Sequence, residues 1–230
     1  MSSMTKPIVV FDLDGTLVDT APDLLDSLNH CLSQSGMEKV DPTALRRFVG
    51  HGGRVMIERA FEAQKKQLSP EQLDWLVGLF LEHYGAHMPG RSELFIGAAE
   101  AMDRLAADGY TLAVCTNKFE TLSVKLLTEL GHADRFAAIC GGDTFSFRKP
   151  DPRHLTETIL RAGGDPGHAV MIGDSRTDID TAKAAGIPVV AVDFGYTDLP
   201  VHTFEPSRVI SHFDELTVDM TKGLIMAAAL

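Results

Sequence analysis

Cysteine is scarce: Cys31, Cys115 and Cys140 are the only ones in 230 residues. Their wide separation argues against a disulfide framework and against a clustered zinc motif, and fits a reduced, cytoplasmic compartment. Positive charge is also short. Lys and Arg number 21 against 32 Asp and Glu, a formal charge of −11, and no basic cluster offsets the deficit locally. A nucleic-acid backbone is therefore an unsuitable partner. No run of about 18 apolar residues is present, as a membrane span would need. The opening MSSMTKPIVV has neither the charged start nor the long apolar stretch of a secretion signal. The expectation is a chain that neither enters a membrane nor is exported. Internal repeats and low-complexity segments are missing too.

What is present is an ordinary globular composition, 44% hydrophobic and 23% charged, with length enough for one large domain or for a main domain carrying a smaller one. The acidic balance has a chemical consequence. A phosphorylated metabolite bound to such a chain needs a cation or a few well-placed Lys and Arg side chains beside it.

Pro7 to Phe11 (PIVVF) is a short apolar, β-branched run that ends abruptly in polar DLDGT, as a buried parallel strand does at its carboxyl end. Leu112–Cys115, Ala137–Cys140, Ala169–Ile172 and Val189–Val192 read the same way. Helical patterns lie between them, at Gly97–Ala107, Thr121–Leu130, Pro152–Ala162 and Thr177–Ala185, several followed by a glycine at the helix end. Alternation of this kind predicts an α/β fold with a doubly wound parallel sheet, whose ligands sit at the carboxyl ends of its strands.

Residues 20 to 88 break the alternation. They contain amphipathic stretches at Pro22–Ser35, Pro42–Phe48, Arg54–Gln64 and Pro70–Tyr84; in the last, Trp75, Leu79, Phe80 and Tyr84 keep helical spacing. The pattern predicts a helical cap inserted after the first strand, with a core made of residues 1–19 and 89–230. His87–Ser92 (HMPGRS) supplies Pro and Gly for a hinge. His51–Arg54 (HGGR) reads as a glycine loop that could carry Arg54 over the site, or as a plain helix connection.

Asp12 and Asp14 alternate at the end of the first strand. Two carboxylates so close repel unless a cation or a shared proton relieves them, which points to metal binding or to separate nucleophile and acid roles. Asp- and Gly-rich turns are common at strand ends, so DLDG alone leaves the matter open. Later segments narrow it. Thr116 and Asn117 in VCTNK, Lys149 in RKPDP, and Asp174 and Asp178 in VMIGDSRTD each set a residue able to handle phosphate or metal at or beyond a later strand.

In this order the segments DLDGT, the Thr of VCTN, the Lys of RKP and GDSRTD resemble the four motifs of the haloacid dehalogenase superfamily, across essentially the whole chain. Within it, GGDTFSFRKPDP, TNK and GDSRTDI are most similar to the phosphoglycolate phosphatases, whose helical cap is inserted where residues 20–88 lie here. The resemblance implies a Mg²⁺-dependent phosphomonoester hydrolase acting on a small phosphorylated metabolite through an aspartyl-phosphate. It implies Asp12 as nucleophile and metal ligand, and Asp14 as general acid and base with its backbone carbonyl on the metal. Asp174 completes the protein's metal ligands, and oxygen-only ligation suits Mg²⁺. Lys149 holds a phosphate oxygen, and Thr116 and the Asn117 amide grip the others at a strand-to-helix turn.

Asp178, four residues beyond Asp174, shares its helical face and stands behind the direct ligands or in solvent. Thr16 orients Asp14 or caps the following turn. Lys118 fits an electropositive pocket and an exposed surface equally. In the cap, Arg54 is the candidate grip for a substrate carboxylate. A dehalogenase would not need Asp14, and a sugar phosphomutase would need a second phosphate site, for which the cap offers one conspicuous Arg. A non-enzymatic phosphate-binding protein would be expected to have lost a catalytic residue, and none is lost. Nucleotides, pyrophosphate and small sugar phosphates stay open as substrates, and monomer and homodimer are both compatible.

Overall fold

β1, Ile8–Phe11, is buried at every position, as an uninterrupted apolar run requires of a strand covered on both faces. The computed structural model describes residues 6–41 and 52–228, so the helix expected at Pro42–Phe48 and the residue His51 lie outside the described part. β1 sits near the middle of a six-stranded parallel sheet with β4 (Thr111–Cys115) on one side and β6 (Ala169–Gly173) on the other. β5 (Ala138–Cys140) extends the sheet beyond β4, while β7 (Val189–Val192) and β8 (Arg208–Ile210) extend it beyond β6. Phe11 is in register with Val114 and with Ile172, so the carboxyl ends of these three strands open at one level.

Alternate side chains of β1 feed opposite cores. Val9 and Phe11 pack with α4 (Ala98–Ala107) and α5 (Glu120–Glu129), and Ile8 and Val10 with α6 (Pro152–Arg161) and α7 (Arg176–Ala184). Each such side chain contributes roughly 1.5–3 kcal/mol relative to exposure. Helices on both faces make the sheet doubly wound, as the sequence pattern predicts, and the chain order reverses direction between β1 and β6, the crevice where such sheets bind ligands. The edge strand β8 was not legible: it is three residues long and begins with exposed Arg208. The last helix, α8, runs Val218–Ala228.

Between two short antiparallel strands, β2 (Val18–Asp19) and β3 (Glu93–Leu94), the described residues form three helices and their connections. α1 (Ala21–Gln34), α2 (Gly52–Ala63) and α3 (Pro70–His87) meet through Leu28, Cys31, Leu32, Met56, Ile57, Leu76 and Phe80. The buried stripe of α3 is Leu73, Leu76, Phe80 and Tyr84, and Trp75 lies 54% exposed. Trp75 belongs to the same spacing on paper, but the stripe that faces α1 runs one residue away from it. The described part of HGGR also differs from expectation. Gly52 and Gly53 open α2 instead of forming a loop. A Cβ on Gly53 would lie 2.7 Å from the Phe80 ring, so the glycine permits close helix packing.

The expected hinge at His87–Ser92 is tethered in its second half. Asp23 on α1 accepts from the Arg91 N–H at 2.9 Å, the Ser92 N–H at 2.9 Å and the Ser92 hydroxyl at 2.5 Å. Asp23 is buried, and removing its carboxylate would strand these donors. Asp23→Ala is expected to lower unfolding free energy by about 2–3 kcal/mol, read from urea denaturation. A loss under about 0.5 kcal/mol, the range of ordinary surface substitutions, would show that the tether carries no weight.

Candidate active site

Asp12 is the first residue past β1, and its N–H donates to the Ile172 carbonyl at 2.9 Å, which fixes it against β6. Asp174 follows β6 directly. Its carboxylate accepts from the Thr16 hydroxyl at 3.1 Å and from the Tyr196 N–H at 2.6 Å. Gly15 makes the turn that brings Thr16 there. It has φ +83°, and a Cβ on it would sit 2.5 Å from Asp174 Oδ2, so only glycine passes between the two motifs. Thr16 thus orients Asp174; the threonine that donates to Asp14 is Thr20, at 2.8 Å.

Lys149 lies in the loop before α6, 2% exposed, with its ammonium 2.9 Å from Asp12 and 2.6 Å from Asp178. Burial pulls its pKa down, but Asp12 and then Asp178 raise it further, and the net direction is upward. The backbone around it is fastened twice: the Asn117 side-chain amide donates to the Lys149 carbonyl at 2.9 Å, and the Lys149 N–H donates to His154 Nδ1 at 3.1 Å. Burial, then Lys149, pushes His154 down to about 4, which keeps that nitrogen an acceptor. Asp178 has its other oxygen on Ser175, taking the N–H at 3.1 Å and the hydroxyl at 2.6 Å. It is held by the start of α7 and in turn holds Lys149. Thr116, next after β4, is buried and receives the Lys118 N–H at 3.3 Å.

Asp12, Asp174 and Asp178 offer oxygens all within 4.8 Å of one another. Three carboxylates against the one ammonium of Lys149 leave two formal negative charges in a buried space. Asp12 Oδ1 is moreover buried without a well-aligned hydrogen bond, although Lys149 stands 2.9 Å from it. A hard divalent cation with oxygen ligands fits both the charge and the acceptor capacity that Lys149 leaves on Asp12.

Lys118 is the residue the sequence undervalued. Its side chain is 5% exposed, and its ammonium donates to both Asp14 oxygens at 3.0 and 3.1 Å and to the Tyr84 hydroxyl at 2.9 Å. Its place just after Thr116 and Asn117, before α5, was the available signal; Tyr84 and Thr20 carried none, because their roles arise only when α3 and β2 fold against this turn. Arg54 is not brought into the cluster. It pairs with Asp74 at 2.5 Å, both side chains more than half exposed. Exposed pairs contribute about 0–1 kcal/mol, so Arg54→Ala is expected to change kcat/KM on any good phosphomonoester by less than about threefold. A loss beyond tenfold would place Arg54 on the substrate.

A family model described as haloacid dehalogenase-like hydrolase matches residues 9–192, from β1 to the end of β7. The chain belongs to this family. Its relatives include a phosphoglycolate phosphatase of Mesorhizobium japonicum, 63% identical over 225 residues, covering 98% of this chain and 99% of that one. Another, from Agrobacterium fabrum, is 48% identical and covers 97% and 96%. Among solved structures, one described as a predicted phosphoglycolate phosphatase from Haemophilus somnus superposes with TM-score 0.86 at 28% identity, covering 96% of this chain and all of that one. CbbY from Rhodobacter sphaeroides in complex with phosphate gives 0.80 at 25%, covering 95% and 100%.

In this haloacid dehalogenase-like hydrolase the crevice is electrostatically strained without a cation. Burial raises Asp12 to about 6, an effect Lys149 reduces and Asp178 adds to. Burial, then the neighbouring Asp178 and Asp12, also raises Asp174 well above the usual carboxylate range. Positive charge brought beside these groups would lower both values and favour the ionised carboxylates.

Proposed function

We propose that the chain hydrolyses a small phosphomonoester, 2-phosphoglycolate first among candidates, by transferring the phosphoryl group to Asp12 and then to water. The observation that carries the reading is Asp12 itself, buried at the β1 terminus and flanked by the Lys149 ammonium and the Asp174 and Asp178 carboxylates. The relatives named phosphoglycolate phosphatase support the choice of substrate.

In this reading Asp12 attacks phosphorus in line and Lys149 offsets the charge on a phosphoryl oxygen. Asp14 gives a proton to the leaving oxygen and later takes one from water. Thr116 and the Asn117 amide receive the other oxygens. Mg²⁺, held by Asp12, Asp174 and the Asp14 carbonyl, would supply charge neutralisation between nucleophile and phosphate. Asp178 keeps Lys149 in place, and Thr16 keeps Asp174. Residues 20–88 form a cap over a core of residues 1–19 and 89–230. The setting is cytoplasmic, in keeping with three free, buried cysteines; among the described residues no helix is long and apolar enough to cross a membrane.

The test is phosphate release from a panel of phosphorylated metabolites with and without Mg²⁺, ranked by kcat/KM. Phosphoglycolate is expected to lead. A nucleotide, pyrophosphate or sugar phosphate at the head would replace it as substrate, and no release from any member would end the hydrolase reading.

A further inference from the structure

We infer that Lys118, braced by Tyr84, is the receptor for a second anionic group on the substrate, a carboxylate one carbon from the ester oxygen. The inference deepens the phosphomonoesterase reading and rests on it. Charge in the crevice is divided between two buried lysines. Lys149 is committed to the Asp12 side, where phosphorus must arrive, and Lys118 lies against the carboxylate of Asp14, on the side of the leaving group.

Reach follows from this placement. A general acid sits within hydrogen-bond distance of the oxygen it protonates, and Lys118 Nζ is 3.0 Å from the Asp14 carboxylate. In 2-phosphoglycolate a single methylene separates the ester oxygen from the carboxylate carbon, so both lie within one side-chain contact of that ammonium. An ammonium has three N–H donors. The two Asp14 oxygens and the Tyr84 hydroxyl are its three acceptors; when Asp14 carries the proton it gives to the leaving group, its hydroxyl oxygen no longer needs one of these donors, which then turns to an incoming carboxylate oxygen. Tyr84 stands on α3, in the inserted helices, and its ring also lies under the ammonium at 4.3 Å from the centroid. A segment outside the sheet thereby sets the position of a charge inside the site. Arg54, the alternative carboxylate grip, is already engaged by Asp74 at an exposed position.

The experiment compares kcat/KM for 2-phosphoglycolate with that for 2-phosphoglycolamide, in which an uncharged amide replaces the carboxylate. Wild-type protein is expected to prefer the acid by roughly tenfold to a hundredfold, the range of a buried charge-assisted contact. Lys118→Met is expected to collapse that ratio towards one. Tyr84→Phe, which removes a single hydroxyl, should lower it several-fold, and Lys118→Arg should retain part of it. Thermal melting establishes that each variant is folded; should Lys118→Met fail, Lys118→Gln and Tyr84→Phe decide by the same ratio. A folded Lys118 variant with the wild-type ratio, or one that loses both esters equally, overturns the inference. Wild-type protein that hydrolyses both esters without preference overturns it alone, whereas one that hydrolyses neither overturns the phosphomonoesterase reading itself.

Discussion

Replacing Asp12 by Asn is expected to abolish phosphate release while making the metal-free protein more stable. The two effects have the same origin. The carboxylate sits in a buried space where burial raises its pKa to about 6, so at neutral pH its ionised form is held at a cost. An amide of nearly the same volume removes that charge. Each pKa unit corresponds to about 1.4 kcal/mol, so the gain is on the order of 1–3 kcal/mol, the attraction of Lys149 being already contained in the net shift.

Turnover behaves oppositely, because an amide cannot form the acyl phosphate. Losses on the order of 10⁴-fold or more follow removal of a nucleophile whose partners act as a unit. Rapid quench with labelled substrate, or beryllofluoride followed by peptide mapping, should find the adduct on Asp12. Label on Asp14 or Asp174 would remove Asp12 from the role, and so would appreciable turnover by the Asn variant.

Removing divalent metal with EDTA is expected to silence the enzyme by at least about a hundredfold, and Mg²⁺ should restore it. Ca²⁺, which takes more ligands in looser geometry, should not. The same carboxylates make this dependence a function of pH. Asp12, raised to about 6, and Asp174, also raised, bind protons in the folded metal-free state that the unfolded chain releases at lower pH. Their contribution to metal-free stability is therefore present below about pH 4 and lost as pH rises towards 6.

A bound cation displaces those protons, so its apparent affinity climbs with pH through that window and levels off above it. At a hundred times its dissociation constant Mg²⁺ should add about 2.7 kcal/mol of stability at pH 7.5, and far less at pH 5. Melting curves at both values, with Mg²⁺ or EDTA, provide the check. Full turnover in EDTA, or a Mg²⁺ stabilisation that grows as pH falls, would contradict the assigned cluster.

The sheet was legible because its strands are buried on both faces: an unbroken run such as IVVF needs no partner to be recognised, and all five expected strands match to within one residue. The core motifs were legible for a related reason. A carboxylate that ends an apolar run must emerge at the strand terminus. Contacts made between elements far apart in sequence were not. Tyr84 reads as one more apolar residue on a helix stripe, and only packing aims its hydroxyl at Lys118. Arg54 read as a lone cation beside flexible glycines, whereas Gly53 is spent on packing against Phe80 and Asp74 neutralises the guanidinium. Thr16 and Thr20 are equally placed on paper, and the turn at Gly15 sends the first to Asp174 and leaves the second for Asp14.

The ribbon of β2 and β3 pairs Val18 with Leu94 and Asp19 with Glu93, so the chain leaves for the helices and comes back at adjacent rungs. Topologically, everything between those rungs stands where the loop of a hairpin would. Its ends are already closed by backbone hydrogen bonds, and the closure entropy of a longer or shorter insert grows only with the logarithm of its length. The strand order and register of the sheet are thus decoupled from what the ribbon carries. A lineage can exchange one set of helices for another, and with it the residues that meet Lys118, without renegotiating the crevice where Asp12 and Asp174 stand.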